Sequence, residues 1–248
     1  MLVNQKGIKA SLYVTCIIDQ LYPQVGVSVV NVLRKLGVQV EFPIEQSCCG
    51  QPLFNSGYVS QATELAARVI ESFRDSEYVV VPSGSCAAMF REFYPTLFES
   101  DPTLHKIAQE FSERVYEFSE FLVEVLGVNK VNASGNGKHT FHTSCHMLRE
   151  LGVKDQPLSL LEGVEGIETV DLPQREVCCG FGGTFSVKYP HISEEMLSDK
   201  IDNVLSTSCD TLVSCDMSCL MNIGGALSRN KSGINVKHLA EILDEENN

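Results

Sequence analysis

Apolar positions along the chain alternate between strand-like and helix-like spacing. Residues 9–15, Lys-Ala-Ser-Leu-Tyr-Val-Thr, read as a strand ending at Cys16. Val25, Val29, Val32, Leu33 and Leu36 then recur at helical spacing, and Gly37 stops that helix. Residues 38–42 alternate as a second strand, and Ala62, Leu65, Ala66, Val69, Ile70 and Phe73 mark the next helix. Residues 78–81, Tyr-Val-Val-Val, form a continuous apolar run, the pattern of a parallel strand covered on both faces. Pro102 behind Ser100 and Asp101 opens a further helix. Residues 115–118 suggest a short strand, and Ser119 is placed to cap a helix ending near Leu126.

Residues 127–137 carry Gly127, Asn129, Asn132, Ser134, Gly135, Asn136 and Gly137 and read as a linker. The pattern then restarts. Residues 139–142 and 167–172 read as strands, and Ser193 opens a helix with Leu197, Ile201, Val204 and Leu205 on one face. Residues 211–213 give another strand, and 236–243 echo 115–122. Strands alternating with helices predict an α/β fold of two duplicated βα halves, residues 1–126 and 138–248. Mainly parallel sheets with helices on both faces are expected, with a pseudo-twofold relation between the halves.

The cysteines sharpen this duplication. Cys48-Cys49-Gly50 and Cys178-Cys179-Gly180 are two copies of one motif. A lone cysteine precedes each, with 31 residues between Cys16 and Cys48 and 32 between Cys145 and Cys178. A single cysteine follows each, Cys86 and Cys219. All eight come directly after predicted strands, at the carboxyl ends where parallel sheets place their ligands. Cys16, Cys48, Cys49 and Cys86 should therefore meet in one half, and Cys145, Cys178, Cys179 and Cys219 in the other. Cys209 fits no motif position and is expected to be structural.

Composition bears on what these thiols do. The chain has 248 residues, 44% of them hydrophobic, enough for a core in either half. No apolar run could span a bilayer, and residues 1–7 lack a signal-peptide pattern, so a cytoplasmic location is expected. In that reducing compartment ten cysteines point to metal or redox chemistry rather than disulfides. A formal net charge of −13 argues against nucleic acid and against an anionic membrane surface.

Four thiolates per half suit a [4Fe–4S] cluster. Zinc also accepts four thiolates, typically from Cys-x-x-Cys knuckles, and the chain contains none. The glycine behind each pair allows a positive φ and a close approach of backbone to a bulky group. Buried apolar thiols and a vicinal-disulfide redox sensor are the alternatives. His142 and His146 flank Cys145 and are candidates for moving protons or binding a carboxylate, with a packed or solvated ring as the alternative. Arg91, Lys138, Arg149 and Lys188 lie near motif segments, where they would either pair with an anionic substrate or line a solvated face. Residues 180–185, Gly-Phe-Gly-Gly-Thr-Phe, do not form the dinucleotide fingerprint, so hydride chemistry from a bound nicotinamide has no visible support.

The arrangement of a cysteine, a Cys-Cys-Gly and a closing cysteine, in tandem, resembles the cysteine-rich CCG domain found in heterodisulfide reductases and in the iron–sulfur component of glycolate oxidase. Over nearly the whole chain it is most similar to the lactate utilization protein A family. The segments 82–86, 178–186 and 216–219 carry that likeness. The resemblance implies an iron–sulfur subunit of a cytoplasmic complex oxidising L-lactate to pyruvate, with partner subunits that include another iron–sulfur protein. It implies one or two [4Fe–4S] clusters held by Cys16, Cys48, Cys49, Cys86, Cys145, Cys178, Cys179 and Cys219. The closing Cys-x-x-Cys of the family reads Ser83-Gly84-Ser85-Cys86 and Asp216-Met217-Ser218-Cys219 here, without its first cysteine. An ordinary cubane is therefore expected rather than the five-cysteine cluster of the heterodisulfide reductase relative. Cys215 is a candidate fifth ligand. A thiol–disulfide reductase and a zinc-binding or redox-sensing protein are the alternative functions.

Overall fold

The computed structural model describes residues 7–245; residues 1–6, most of the stretch read above for a signal peptide, and 246–248 lie outside the described residues. The chain divides into two compact units, Met1–Gly127 and Val128–Asn248. The first holds β1 (Lys9–Leu12), β2 (Gln39–Glu41), β3 (Tyr78–Val81) and β4 (Val115–Glu117), in the order β2-β1-β3-β4. The second holds β5 (Ser134–Phe141), β6 (Glu165–Val170), β7 (Thr211–Ser214) and β8 (Asn235–His238), in the order β6-β5-β7-β8. Every strand pair is parallel. One topology occurring twice is the duplicated α/β fold read from the sequence.

The apolar spacing explains the layers. Val79, Val80 and Val81 on β3 have no solvent exposure, as a central strand covered on both faces requires. Helix Pro23–Lys35 turns Val25, Val29, Val32 and Leu33 inward, and helix Val59–Ser72 turns Ala62, Ala66, Val69 and Ile70 inward. Tyr13, Phe90, Tyr94 and Phe111 form an aromatic core behind β1 and β3, with Tyr13 edge-on to Phe90 at 4.7 Å and Phe90 edge-on to Tyr94 at 4.9 Å. Pro95 lacks an N–H and would crowd the carbonyl four residues before it; a single wide π-helical turn, Met89–Phe93, precedes it and relieves that clash.

Local structure departs from the sequence reading in four places. β5 begins at Ser134, so part of the glycine-rich stretch is strand; its register against β6 shifts between Ser134 and Gly137. Gly137 has φ +84°, and the Asp210 carboxylate, which accepts from Lys138 N at 2.7 Å, occupies the space that a Cβ would need. Glu117, not Ser119, caps the helix after β4. Its carboxylate accepts from Ser119 N and Glu120 N, while Glu120 accepts in return from Glu117 N. His238 and Glu241 make the same reciprocal box after β8. Ser193 lies inside a helix that starts at Pro190, and a helix, Asp155–Glu162, follows the first cysteine of the second half without a sequence signal having marked it.

The Glu117 cap carries a pH dependence. The side chain is fully buried and its Oε1 has no partner. Burial pushes its pKa up to about 7, outweighing the donors from Ser119 and Glu120. The folded chain thus keeps a proton that the unfolded chain releases near 4.5. Stability contributed below that value is lost as pH rises through 7, by an amount on the order of 3 kcal/mol. Denaturant midpoints should fall between about pH 5 and pH 8, and Glu117→Gln should flatten that slope. An unchanged slope in the variant would remove Glu117 as its source.

Candidate metal centre

In each sheet the chain leaves the central strand toward one neighbour and returns on the other side, which opens a crevice between β1 and β3, and between β5 and β7. The motif cysteines stand at these crevices. Cys16 begins helix Cys16–Leu21 directly after β1, and Cys86 lies in helix Gly84–Ala88 after β3. Cys48 and Cys49 come from the loop after β2. Cys16 Sγ is 4.0 Å from Cys48 Sγ, and Cys49 Sγ is 3.4 Å from Cys86 Sγ. The second half repeats this. Cys145 begins helix Cys145–Arg149 and Cys219 lies in helix Met217–Arg229. The thiols of Cys145 and Cys179 both turn to Cys178, and that of Cys219 meets Cys179. All ten cysteines are free thiols.

The Cys-Cys-Gly turn is pinned from several sides. Gln46 accepts from Val14 N at 2.8 Å and donates to the Leu12 and Pro43 carbonyls. Tyr13 donates to Ser47 O at 2.8 Å and Tyr94 to Cys49 O at 3.0 Å, so two aromatic rings of the core present their hydroxyls to the turn. Gln51 ties the turn to the Cys86 helix through Ser85 O. In the second half Asn222 takes the place of Tyr94, donating to Cys179 O at 3.0 Å, and Ser193 donates to Gly180 O at 2.9 Å. Gly50 and Gly180 have φ +81° and +83°, the left-handed conformation that the turn was expected to need. Tyr94→Phe keeps the ring but orphans a buried carbonyl. It should cost about 1–2 kcal/mol in denaturant unfolding while leaving far-UV circular dichroism unchanged; no loss would mean the hydroxyl does not brace the turn.

Ser83 and Asp216, at the positions where the resemblance leads to the expectation of a cysteine, are helix N-caps. Ser83 Oγ accepts from Cys86 N at 3.3 Å and Asp216 Oδ1 from Ser218 N at 3.1 Å. They orient the helices that carry Cys86 and Cys219. Cys215 is fully buried one residue earlier. Cys209 precedes β7 and is placed at the amino end of that strand, away from the crevice. Arg91 is engaged with Glu120 at 2.8 Å and Lys138 with Glu168 at 3.6 Å. Neither is an unengaged cation waiting for an anionic substrate.

The electrostatics ask for a cation. Cys48 is held far below the ordinary thiol range by the S–H groups of Cys16 and Cys49, and those two are pushed up in return. Cys178 stands in the same relation to Cys145 and Cys179. Four thiols this close cannot all ionise by themselves, and a bound metal ion reverses that. In each half the second cysteine of the pair and the closing cysteine are buried, while the lone cysteine and the first of the pair form a more open rim. The donor set, four free thiols on one crevice, fits a thiolate-bound metal group in each half.

Two residues of the second centre lie outside the cysteine motif. His142 is fully buried, neither ring nitrogen makes a hydrogen bond, and the ring shares a space with Cys179 and Cys219, their ligand atoms all within 4.8 Å. Burial, with help from Lys200, lowers its pKa to about 4, so the ring is neutral. An orphaned buried polar atom costs about 1–3 kcal/mol, which a metal bond would offset. Lys200 has no exposure; its ammonium donates to Gln174 O at 2.7 Å and lies near Cys178, Cys179 and Cys219. Alignment of the two halves on their cysteines would have singled out both, since Tyr13 and Ile70 stand at the matching positions.

With this geometry in view, the comparisons with known proteins bear on both halves. The cysteine-rich domain designated CCG matches residues 10–91 and again 139–224. The chain is 50% identical over 239 residues to lactate utilization protein A 1 of Bacillus mycoides, covering 96% of this chain and 98% of that one. It is 49% identical over 237 residues to lactate utilization protein A of Bacillus subtilis, covering 96% and 99%. Among solved structures, a glutamate racemase from Bacillus anthracis is similar over 96% of this chain and 78% of its own at 11% identity and a TM-score of 0.33. Two matched domains covering most of the chain, and half-identical relatives of the same length, place this protein in the lactate utilization protein A family, built from two cysteine-rich CCG domains.

Proposed function

We propose that this chain is the iron–sulfur subunit of a cytoplasmic system that oxidises L-lactate to pyruvate, with Cys16, Cys48, Cys49 and Cys86 holding one [4Fe–4S] cluster and Cys145, Cys178, Cys179 and Cys219 a second. The supporting observation is the convergence of four free thiols on the crevice of each half. The relatives are named for lactate utilization, and among the described residues no helix is long and apolar enough to cross a membrane. A bound cluster supplies one-electron storage, with a potential set by its ligands and surroundings. The chain's own part is to hold the thiolates, shield the inner pair from water, and leave Cys16 and Cys48 at an open rim through which a partner subunit, another iron–sulfur protein among them, exchanges electrons. The exposure of Cys16 and half-exposure of Cys48 also let those thiols swing apart around a cluster larger than one ion.

One observation favours a second reading. The Sγ separations of 3.4 and 4.0 Å lie on either side of the edge, about 3.8 Å, of a thiolate tetrahedron around zinc with bonds of about 2.3 Å. Iron and acid-labile sulfide, counted on anaerobically purified chain, separate the two. About eight irons with matching sulfide are expected for two clusters. Colourless protein loaded with zinc would reverse the assignment. Deletion of the gene should abolish growth on L-lactate, with rescue by the wild-type chain; undiminished growth of the deletion strain would remove lactate oxidation from the reading.

A further inference from the structure

We propose that the second half-site is a mixed cysteine–histidine centre, in which a ring nitrogen of His142 binds the metal beside Cys179 and Cys219 and takes the place of one of the two rim thiolates, Cys145 and Cys178. The inference rests on the metal reading of the thiols and extends it to a residue outside the family's cysteine motif. Three observations carry it. The ring is fully buried with both nitrogens unpartnered. It lies within ligand distance of two motif thiols that are themselves buried. Its backbone is held at both ends, His142 N donating to Val213 O at 2.8 Å and His142 O accepting from Ser214 at 2.9 Å. The backbone that carries the ring, just past the end of β5, is therefore held on both sides, and neither ring nitrogen is engaged by another group.

The first half shows what the position does when it is not a ligand. Tyr13 stands three residues before Cys16, as His142 stands three before Cys145, and Tyr13 N donates to Val80 O at 3.0 Å as His142 N does to Val213 O. The two are structural equivalents. Tyr13 spends its hydroxyl on Ser47 O. His142 has no such bond, and the backbone of Arg175 approaches its ring without completing one. A metal-bound imidazole commonly gives its second N–H to a backbone carbonyl, which Arg175 is placed to accept.

The two centres are then chemically unequal. The first is ligated by thiolates alone, with Tyr13 beside it. The second gains a neutral nitrogen donor and the buried ammonium of Lys200. Histidine in place of thiolate raises the potential of an iron–sulfur centre, and a nearby cation acts in the same direction. The second centre should therefore be the first to accept an electron in a reductive titration.

The test uses the anaerobic full-length holoprotein, reduced with dithionite and grown with either ordinary or 15N-labelled histidine. Pulsed electron paramagnetic resonance is expected to show a directly bound nitrogen whose coupling changes with the label, and His142→Tyr, which copies the first half, should lose it and lower the potential of one centre only. Normal iron and sulfide with no label-dependent nitrogen coupling in the wild-type chain would overturn the histidine ligand and leave the cluster reading standing. Nitrogen coupling that persists unchanged in a folded His142→Tyr would also overturn it. A chain that takes up no iron, zinc or other metal would overturn both readings together. The labelled wild-type measurement needs no variant, so a failure of His142→Tyr to fold does not spare the proposal.

Discussion

Serine in place of both Cys49 and Cys179 is expected to strip the chain of its metal and abolish its ability to rescue growth on L-lactate. These two thiols are the buried floor of each centre, 3% and 2% exposed, and each meets the closing cysteine of its half. Serine preserves shape to within one atom but does not form a thiolate, and soft metal groups are held through thiolate sulfur. Neither thiol makes a hydrogen bond that the fold depends on, because Tyr94 and Asn222 bind the carbonyls rather than the sulfurs. The double variant should therefore remain folded by circular dichroism while its iron falls to near zero. Each single variant should lose about half of the iron, since the two centres lie in separate compact units. Full iron content or full rescue in the double variant would mean that these thiols are packing residues and that the metal, if any, lies elsewhere.

How much of this was legible in the sequence depended on whether a feature is local. Residues 78–81 read as a buried strand because a continuous valine run has few other uses, and they form β3. The thiols of each half could be predicted to meet because strand-then-cysteine occurs at matched spacing in a parallel fold. At the cap after β4 Ser119 is the stronger capping residue type, yet the chain uses Glu117 two positions earlier, where Glu120 can answer it. The start of β5 is hidden because glycine-rich segments normally mark loops; here Gly137 makes room for Asp210, which lies far along the chain just before β7. Tyr94 and Asn222 do one job, but at different distances behind the closing cysteine, so no repeat marks them. The surroundings of His142 are a matter of burial and of what fails to reach its ring, and no periodicity carries that.

Alanine at Gly180 is expected to be far more damaging than alanine at Gly50, although both close the same motif. Each has a left-handed backbone, so each substitution carries the strain of a Cβ at positive φ, about 1–2 kcal/mol. The surroundings differ. At Gly50 the added carbon would rest 3.6 Å from Ala62 O and 3.7 Å from Leu65 Cβ, ordinary contact. At Gly180 it would stand 2.6 Å from Ser193 O and 3.1 Å from Met196 Cβ. Both neighbours belong to helix Pro190–Ser206, and the Ser193 hydroxyl already binds the Gly180 carbonyl, so the turn and helix cannot part without breaking that bond. Overpacking of this kind adds about 1–3 kcal/mol. Gly180→Ala should roughly double the destabilisation of Gly50→Ala in denaturant unfolding of the metal-free chain, and should lose the second centre's metal by displacing Cys178 and Cys179. Measuring both variants in the metal-free state keeps metal binding from masking the backbone effect. Equal destabilisation would mean that Pro190–Ser206 yields to the added methyl, and that the Cys-Cys-Gly turn of the second half is held by Asn222 and the thiols alone.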